Sequence, residues 1–306
     1  MAWHPLGWKP AFFSEIEPFP CAVLQHHYPN VHNYGDMTKF QEWPNDAIDL
    51  LVGGTPCQSF SVAGLRAGLD DPRGNLTLVY LAVVARYRSR WVVWENVPGV
   101  LSDRTGAFGA FLGGLADLGY GFAHRVLDAQ YFGLAQRRRR VFVVGHLGDW
   151  RPAAAVLFER ESLSGNPAPR RKARKRVAAS LDQSPYGNSN QALFSQHGDN
   201  LVRPDDFPDV VGCLSDGAHM GGGLNGQDAY TGRIIPQFDR GSVRRLTPRE
   251  CERLQGFPDD YTLVPYRNRP ASDGPRYKAL GNSMAVNVMA WIGKRIARCS
   301  LMKEAA

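Results

Sequence analysis

Short apolar runs between charged or turn-forming residues set the tightest limit on how this chain can fold. Ile48–Val52 stops at Gly53-Gly54-Thr55-Pro56, Trp91–Trp94 stops at Glu95-Asn96-Val97-Pro98, and Val141–Val144 follows a block of arginines. Runs this brief and this apolar read as strands covered on both faces. Between them lie segments with helical spacing, Phe19–His27, Leu76–Tyr87 and Phe108–Leu118, the last ending at Gly119. A further short strand is expected within Lys9–Ser14, ahead of Glu15-Ile16-Glu17. Strands alternating with helices make βαβ units, so the expected class is α/β with a parallel sheet.

The chain has 306 residues and a formal charge of +7, from 36 Lys and Arg against 29 Asp and Glu. This balance suits a polyanionic partner, and its clustering says more than its size. Arg137–Arg140 are consecutive, and every residue from Arg170 to Arg176 except Ala173 is basic. A solvated basic patch is the plain alternative for either run. No apolar run approaches the ~18 residues of a membrane span. The first residues lack a charged-then-apolar leader pattern, so the expected compartment is the cytoplasm. The five cysteines form no Cys-x-x-Cys pair. A metal site is not expected, and free thiols are.

Composition divides the chain into 1–160, 161–244 and 245–306. From 160 to 240 it is rich in Gly, Pro, Ser, Asn, Asp and Gln, which reads as a loop-rich second domain. Thr247-Pro248-Arg249-Glu250 is a capping box with proline at the first helical position. It opens a helix through Leu254, closed at Gly256. Gly281-Asn282-Ser283 precedes an amphipathic helix, Met284–Arg298, expected to return to the first domain.

Ligands of open α/β sheets bind beyond the carboxyl ends of the strands. Cys57 follows one such end and Glu95 another. Alone, Cys57 reads as an inert buried thiol and Glu95 as a cap or ion pair. On neighbouring strands, thiol and carboxyl would share one crevice. Pro56 restricts the backbone beside the thiol, and Gly53-Gly54 would admit a ligand closely. On an extended Gln136–Arg140 segment, Arg138 and Arg140 share one face, Arg137 and Arg139 the other. A cysteine hydrolase would need a histidine at a strand end, and none stands there.

Gly53-Gly54-Thr55-Pro56-Cys57-Gln58-Ser59-Phe60-Ser61, Glu95-Asn96-Val97, Gln136 to Arg140, Arg245–Glu250 and Gly281-Asn282-Ser283 together resemble, in order, the motifs of DNA cytosine-5 methyltransferases of the phage and prophage kind. The resemblance implies a Rossmann-like, S-adenosylmethionine-dependent fold with a mostly parallel sheet and a small target-recognition domain at 161–244. It implies catalysis on a flipped cytosine of double-stranded DNA by Cys57, Glu95, Arg140 and Arg138, in a protein acting as a monomer. Cys57 would attack carbon 6, Glu95 would hold N3, and the arginines would hold O2. Cofactor contacts carry over to Glu15, Ile16, Asp36, Met37, Pro56, Leu76, Asn282 and Ser283. Gln58, Ser61 and Arg73 would contact DNA. Asn96, grouped with them, would also order the catalytic loop. The resemblance further implies a setting in restriction–modification or phage DNA.

Members of that family begin with a strand and a Gly-rich loop. Here eight residues precede Lys9, and Ala2–Trp8 read as the tail of a helix. The first central strand is therefore expected to be missing, leaving two strand edges unpaired. The alternative function is a DNA-binding remnant that transfers no methyl group.

Overall fold

The structure is a computed structural model that describes residues 1–55, 76–158, 234–237 and 242–304. It divides into two compact units. Unit 1 comprises residues 1–128, 139–167 and 288–306; unit 2 comprises 129–138 and 168–287. The division departs from the three-part reading of the sequence. Residues 288–306 cluster with the first unit, whereas 245–287 cluster with the second. Most of 161–244 lies outside the described residues.

Unit 1 contains β1 (Phe12–Phe13), α1 (Pro18–His27), β2 (His32–Asn33), β3 (Leu50–Gly54), α2 (Leu76–Tyr87), β4 (Trp91–Asn96), α3 (Ala107–Asp117), β5 (Tyr120–Asp128), β6 (Arg139–Leu147) and α4 (Trp150–Leu157). The main sheet has the order β3-β4-β6-β5. β3 runs parallel to β4, while β6 runs antiparallel to both β4 and β5. Three of the four strands thus share one direction, and β6 alone opposes them. The expected run of βαβ units therefore gives way at its end to a hairpin, β5–β6. The composition hides β5: Gly121, Ala123, His124 and Arg125 interrupt its apolar pattern because, among the described residues, it is the edge strand. Its residues are mostly half-buried, whereas those of β6 from Val141 to His146 are buried.

The β4 residues Trp91 to Trp94 are all buried, as strands covered on both faces require. Val92 and Trp94 share a core with Leu78 to Val84 of α2, Phe111 and Leu115 of α3, and Val141 and Val143 of β6. Trp94 lies 4.4 Å from Phe111 between ring centroids. Such aromatic pairs add about 0.5–1.5 kcal/mol beyond area burial. At Gly53 an added Cβ would come within 2.6 Å of the Tyr80 ring. The small residue there makes room for the Tyr80 ring.

β1 and β2 form a separate parallel ladder, Phe12 opposite His32 and Phe13 opposite Asn33. Among the described residues, β1 pairs only with β2 and β3 only with β4. Both sheets nevertheless rest on one core, because Phe12 packs on Trp43 and Tyr87 beside Leu51. Residues 4–6, expected as a helix tail, form a single 3-10 turn. Next to it, Trp3 Nε1 donates to the Met289 carbonyl at 2.7 Å.

In unit 2, β7 (Ile234–Gln237) and β8 (Ser242–Arg245) pair antiparallel. They lead to α5 (Pro248–Gln255), the short ladder of β9 (Pro265–Tyr266) and β10 (Arg269–Pro270), and α6 (Asp273–Asn282). Helix α7 (Val286–Glu304) runs from here into unit 1. The capping box forms: Glu250 N donates to Thr247 Oγ1 at 3.3 Å, and Glu250 Oε2 accepts from Thr247 N at 2.7 Å. Gly256 ends the helix with φ of 81°. Glu252, fully buried, accepts hydrogen bonds from Thr262 and an ion pair from Arg276 at 3.1 Å. Glycine 281 and Asn282 close α6, a helix that the sequence pattern did not disclose.

Candidate active site

The carboxyl ends of β3 and β4 lie side by side, with Gly54 opposite Glu95. Side chains alternate along β4, so Trp94 and Asn96 share one face and Glu95 takes the other. The Trp94 face secures the end of β3. Thr55 is buried; its hydroxyl meets Thr77 Oγ1 at 2.9 Å and accepts from Trp94 Nε1 at 3.1 Å. Asn96 Nδ2 donates to the Thr55 carbonyl at 3.0 Å, and its Oδ1 accepts from Val97 N at 2.8 Å. Asn96 is 4% exposed. This placement anchors the backbone that leads into the Pro56-Cys57 segment. The expected DNA contact by Asn96 does not fit a side chain enclosed in this way.

On the other face, Glu95 Oε1 lies 3.1 Å from Arg140 Nε. Glu95 stands opposite Phe142, so Arg140, two residues from Phe142, is its diagonal same-face neighbour. The two side chains retain 13% and 15% exposure, enough to be reached from outside. Arg140 Nη1 also donates to the Arg139 carbonyl at 2.8 Å. A carboxyl thus stands beside a guanidinium that is held in place by a second hydrogen bond.

The arginine block alternates as its extended reading requires: Gln136 and Arg138 are buried, Arg137 and Arg139 exposed. The two inward residues have separate tasks. Within unit 2, Arg138 Nη2 donates to the carbonyls of Gly281 at 3.0 Å and Ser283 at 2.8 Å. Gln136 Nε2 donates to the Leu254 carbonyl at 3.0 Å, and Gln255 Nε2 to the Leu280 carbonyl at 2.6 Å. Arg138 therefore joins the Gly281-Asn282-Ser283 segment, where a role on the base was expected. The physical reason is supply: the end of α6 leaves carbonyls without helical partners, and a buried guanidinium satisfies two of them.

At the carboxyl ends of β1 and β2, the parallel pairing gathers Glu15, Ile16 and Asp36. Glu15 Oε1 accepts from Ile16 N and Glu17 N, each at 2.8 Å. Its other oxygen, Oε2, has no protein partner among the described residues. Ile16 is 68% exposed, unusual for an isoleucine, and follows directly. Asp36 Oδ1 accepts from the backbone N–H and the hydroxyl of Thr38, each at 2.9 Å. The backbone bond first, then the hydroxyl, holds the Asp36 carboxyl below the usual carboxylate range. Met37 is half-buried against the unit 1 core. An acceptor oxygen, an uncovered apolar side chain and a second acid at strand ends suit the ribose and adenine of a nucleoside-bearing cofactor.

Leu76 opens α2 and is half-buried; in unit 2, Asn282 is exposed and Ser283 half-buried. Cys57, Pro56, Gln58, Ser61 and Arg73 lie outside the described residues. Sequence reasoning missed Asn33, Thr55, Thr77 and Gln255. Their roles rest on partners far away in the chain, for which no local pattern exists. Among the described residues no cluster of His, Cys, Asp or Glu could hold a metal ion, and no helix is long and apolar enough to cross a membrane.

A sheet with strand ends of this kind, closed by an antiparallel last hairpin, defines the Rossmann-like fold of S-adenosylmethionine-dependent methyltransferases. The chain belongs to the C-5 cytosine-specific DNA methylase family, whose model matches residues 1–298. The family's methyl donor is S-adenosylmethionine. The chain is 36% identical to a protein of Escherichia phage P1 named "DNA N-6-adenine-methyltransferase", covering 97% of this chain and 59% of that protein. It is 30% identical to the Type II methyltransferase M.SsoII of Shigella sonnei, covering 93% of this chain and 73% of the relative. The crystal structure of the S. pombe Dnmt2 methyltransferase resembles it with a TM-score of 0.64 at 19% identity, over 99% of this chain and 94% of the other. A putative DNA modification methyltransferase from an E. coli prophage gives 0.57 at 18% identity, over 98% and 95%. At these identities the structural likeness carries the fold alone.

Proposed function

We propose that this chain methylates carbon 5 of cytosine in double-stranded DNA, with Cys57 as the nucleophile. The supporting observation is the Glu95–Arg140 pair at the end of β4, beside the anchored end of β3. Cys57 follows Thr55 after one intervening residue. The reading also rests on family membership.

Carbon 5 of cytosine is a poor nucleophile until a group adds at carbon 6. In this reading the base is extruded from the duplex, at a cost of a few kcal/mol in unstacking. The Cys57 thiolate forms a bond to carbon 6 while Glu95 delivers a proton to N3. Arg140 donates to O2, where negative charge builds. S-adenosylmethionine, when bound, supplies an electrophilic methyl group for carbon 5. A water molecule then takes the carbon 5 proton, the C–H electrons form the carbon 5–carbon 6 double bond and expel the thiolate, and Glu95 recovers its proton from N3. Glu15 holds the ribose hydroxyls through its open oxygen, Ile16 covers the adenine, and Asp36 takes its amino group. Met37, Pro56, Leu76, Asn282 and Ser283 complete the cofactor contacts. Gln58, Ser61 and Arg73 touch the DNA, and Arg138 serves as a positioning residue. Residues 161–244 read the target sequence, and the protein acts as a monomer.

One observation favours a second reading, a DNA-binding chain that transfers no methyl group. The β1–β2 ladder is separate from the main sheet, and β1 and β3 each lack a second partner among the described residues. The phage P1 relative's name points to adenine, but an exocyclic amine needs no thiolate nucleophile. Incubation with labelled S-adenosylmethionine and duplex DNA, followed by nucleoside analysis, separates the three outcomes. 5-Methylcytosine, abolished in Cys57→Ser, is expected. A 5-fluorocytosine oligonucleotide should leave an adduct that survives denaturation. DNA binding without transfer supports the second reading, and N6-methyladenine would overturn the first.

A further inference from the structure

We infer that Asn33 is the positioning residue of the cofactor site: its side-chain amide fixes the backbone that carries Glu15, Ile16 and Asp36. This rests on the proposed reading of those three residues. Asn33 is the last residue of β2 and stands opposite Phe13, two residues before Glu15. Its Oδ1 accepts from Glu15 N at 2.9 Å and from Gly35 N at 3.3 Å. Its Nδ2 donates to the Glu15 carbonyl at 2.9 Å and to Cys21 Sγ at 3.3 Å. Two acceptor sites and two donor hydrogens are the full capacity of an asparagine amide, and all are used here.

The arrangement divides the work at Glu15. Asn33 holds the N–H and carbonyl of this residue, while the carboxylate, through Oε1, holds the next two N–H groups. With backbone and one oxygen fixed, Oε2 has a defined place from which to accept a hydroxyl. Ile16 inherits the same fixed backbone. The Gly35 bond extends the control to the residue before Asp36, where φ is 70°. Ser14 Oγ, donating to the Gly35 carbonyl at 2.7 Å, is a second and weaker tie between the two loops. Cys21 Sγ donates to the Glu15 carbonyl at 3.1 Å and so supports the same point from α1. Burial, then the Glu15 charge, pushes its thiol up, which keeps that proton in place.

A β2 ladder of two residues has little rigidity of its own. Without the amide, the N–H groups of Glu15 and Gly35 lose this acceptor, the Glu15 carbonyl keeps only the Cys21 thiol, and the loops lose their mutual registration. Ordering them again on binding would cost affinity and leave the chemical step largely intact.

The test uses the full chain and S-adenosylmethionine as the probe. Titration calorimetry on wild type, Asn33→Ala, Asn33→Asp and Ser14→Ala gives Kd directly. Steady-state methyl transfer gives KM and kcat, and circular dichroism gives the folded fraction. Asn33→Ala is expected to raise Kd by about tenfold or more, equivalent to about 1.4 kcal/mol. KM for the cofactor should rise in parallel, with kcat at saturation within about threefold of wild type. Asn33→Asp keeps the acceptor role, loses both donors and should also bind weakly. Ser14→Ala should change Kd less than either. Unchanged Kd in folded Asn33→Ala and Asn33→Asp overturns the inference, as does a fall in kcat at constant KM. If wild type binds the cofactor without transferring methyl, the proposed function fails while the Kd comparison still decides the role of Asn33. If wild type does not bind it, both fail.

Discussion

Replacing Arg140 by methionine should damage stability and rate separately, in amounts that follow from its pairing with Glu95. The Nε–Oε1 distance is 3.1 Å, and both side chains are mostly enclosed. Opposite charges near this separation attract by about 4 kcal/mol at an effective dielectric constant of 20. Desolvation opposes most of that, and a hydrogen bond to a charged group nets about 1.5–3 kcal/mol. Arg140→Met, which removes the guanidinium beside the Glu95 carboxylate, should therefore lower unfolding free energy by about 2 kcal/mol. Glu95→Gln should cost less alone, and the double variant should be more stable than the sum of the singles implies. The interaction free energy from urea unfolding of the four proteins should be about 1–2 kcal/mol. On the proposed reading Arg140 also donates to the charge that develops on the base. Loss of one such donor costs about 10²–10³ in kcat. Arg140→Lys keeps the charge but not the planar fork, and should recover stability better than rate. Additivity within about 0.3 kcal/mol would refute the pairing. A kcat for Arg140→Met within about threefold of wild type would refute its part in the reaction.

Three further outcomes are expected. Asn96→Ala leaves the buried Thr55 carbonyl without its donor; it should cost about 2–3 kcal/mol in urea unfolding and lower kcat more than DNA affinity. Thr247→Ala removes the capping box of α5 and should lower stability by about 1 kcal/mol, read as a shift in urea midpoint at unchanged slope. The depressed Asp36 carboxyl stabilises the folded state above its unfolded value of about 3.9 and stops doing so as pH falls through the lower folded value. Thr38→Val weakens that depression, so its destabilisation should be present at neutral pH and fade under acid. A deficit independent of pH between neutrality and strong acid would contradict the assignment.

Local chemistry makes several elements legible in the sequence. Leu76–Tyr87 coincides with α2, and Pro18–His27 and Ala107–Asp117 fall within a residue of their expected starts. The capping box and Gly256 bound α5 because caps depend on residues three or four positions apart. The alternation of Gln136 to Arg140 follows from the period of an extended chain. Glu95 and Arg140 stand out because charge beside an apolar strand requires a partner.

Other features depend on which strands become neighbours, and periodicity carries no such information. Nothing local shows that β6 reverses direction between β4 and β5, yet that reversal places Arg140 diagonally from Glu95. Nothing near Arg138 shows that its partners are carbonyls more than a hundred residues later. Asn33 looks like an ordinary turn residue until the parallel ladder brings Phe13 beside it. Residue type and spacing determined the kind of chemistry proposed for this chain, because they set charge, nucleophilicity and local backbone preference. Which group meets which was decided by strand pairing and burial, because a hydrogen bond or ion pair acts over about 3 Å and depends on the whole path of the chain.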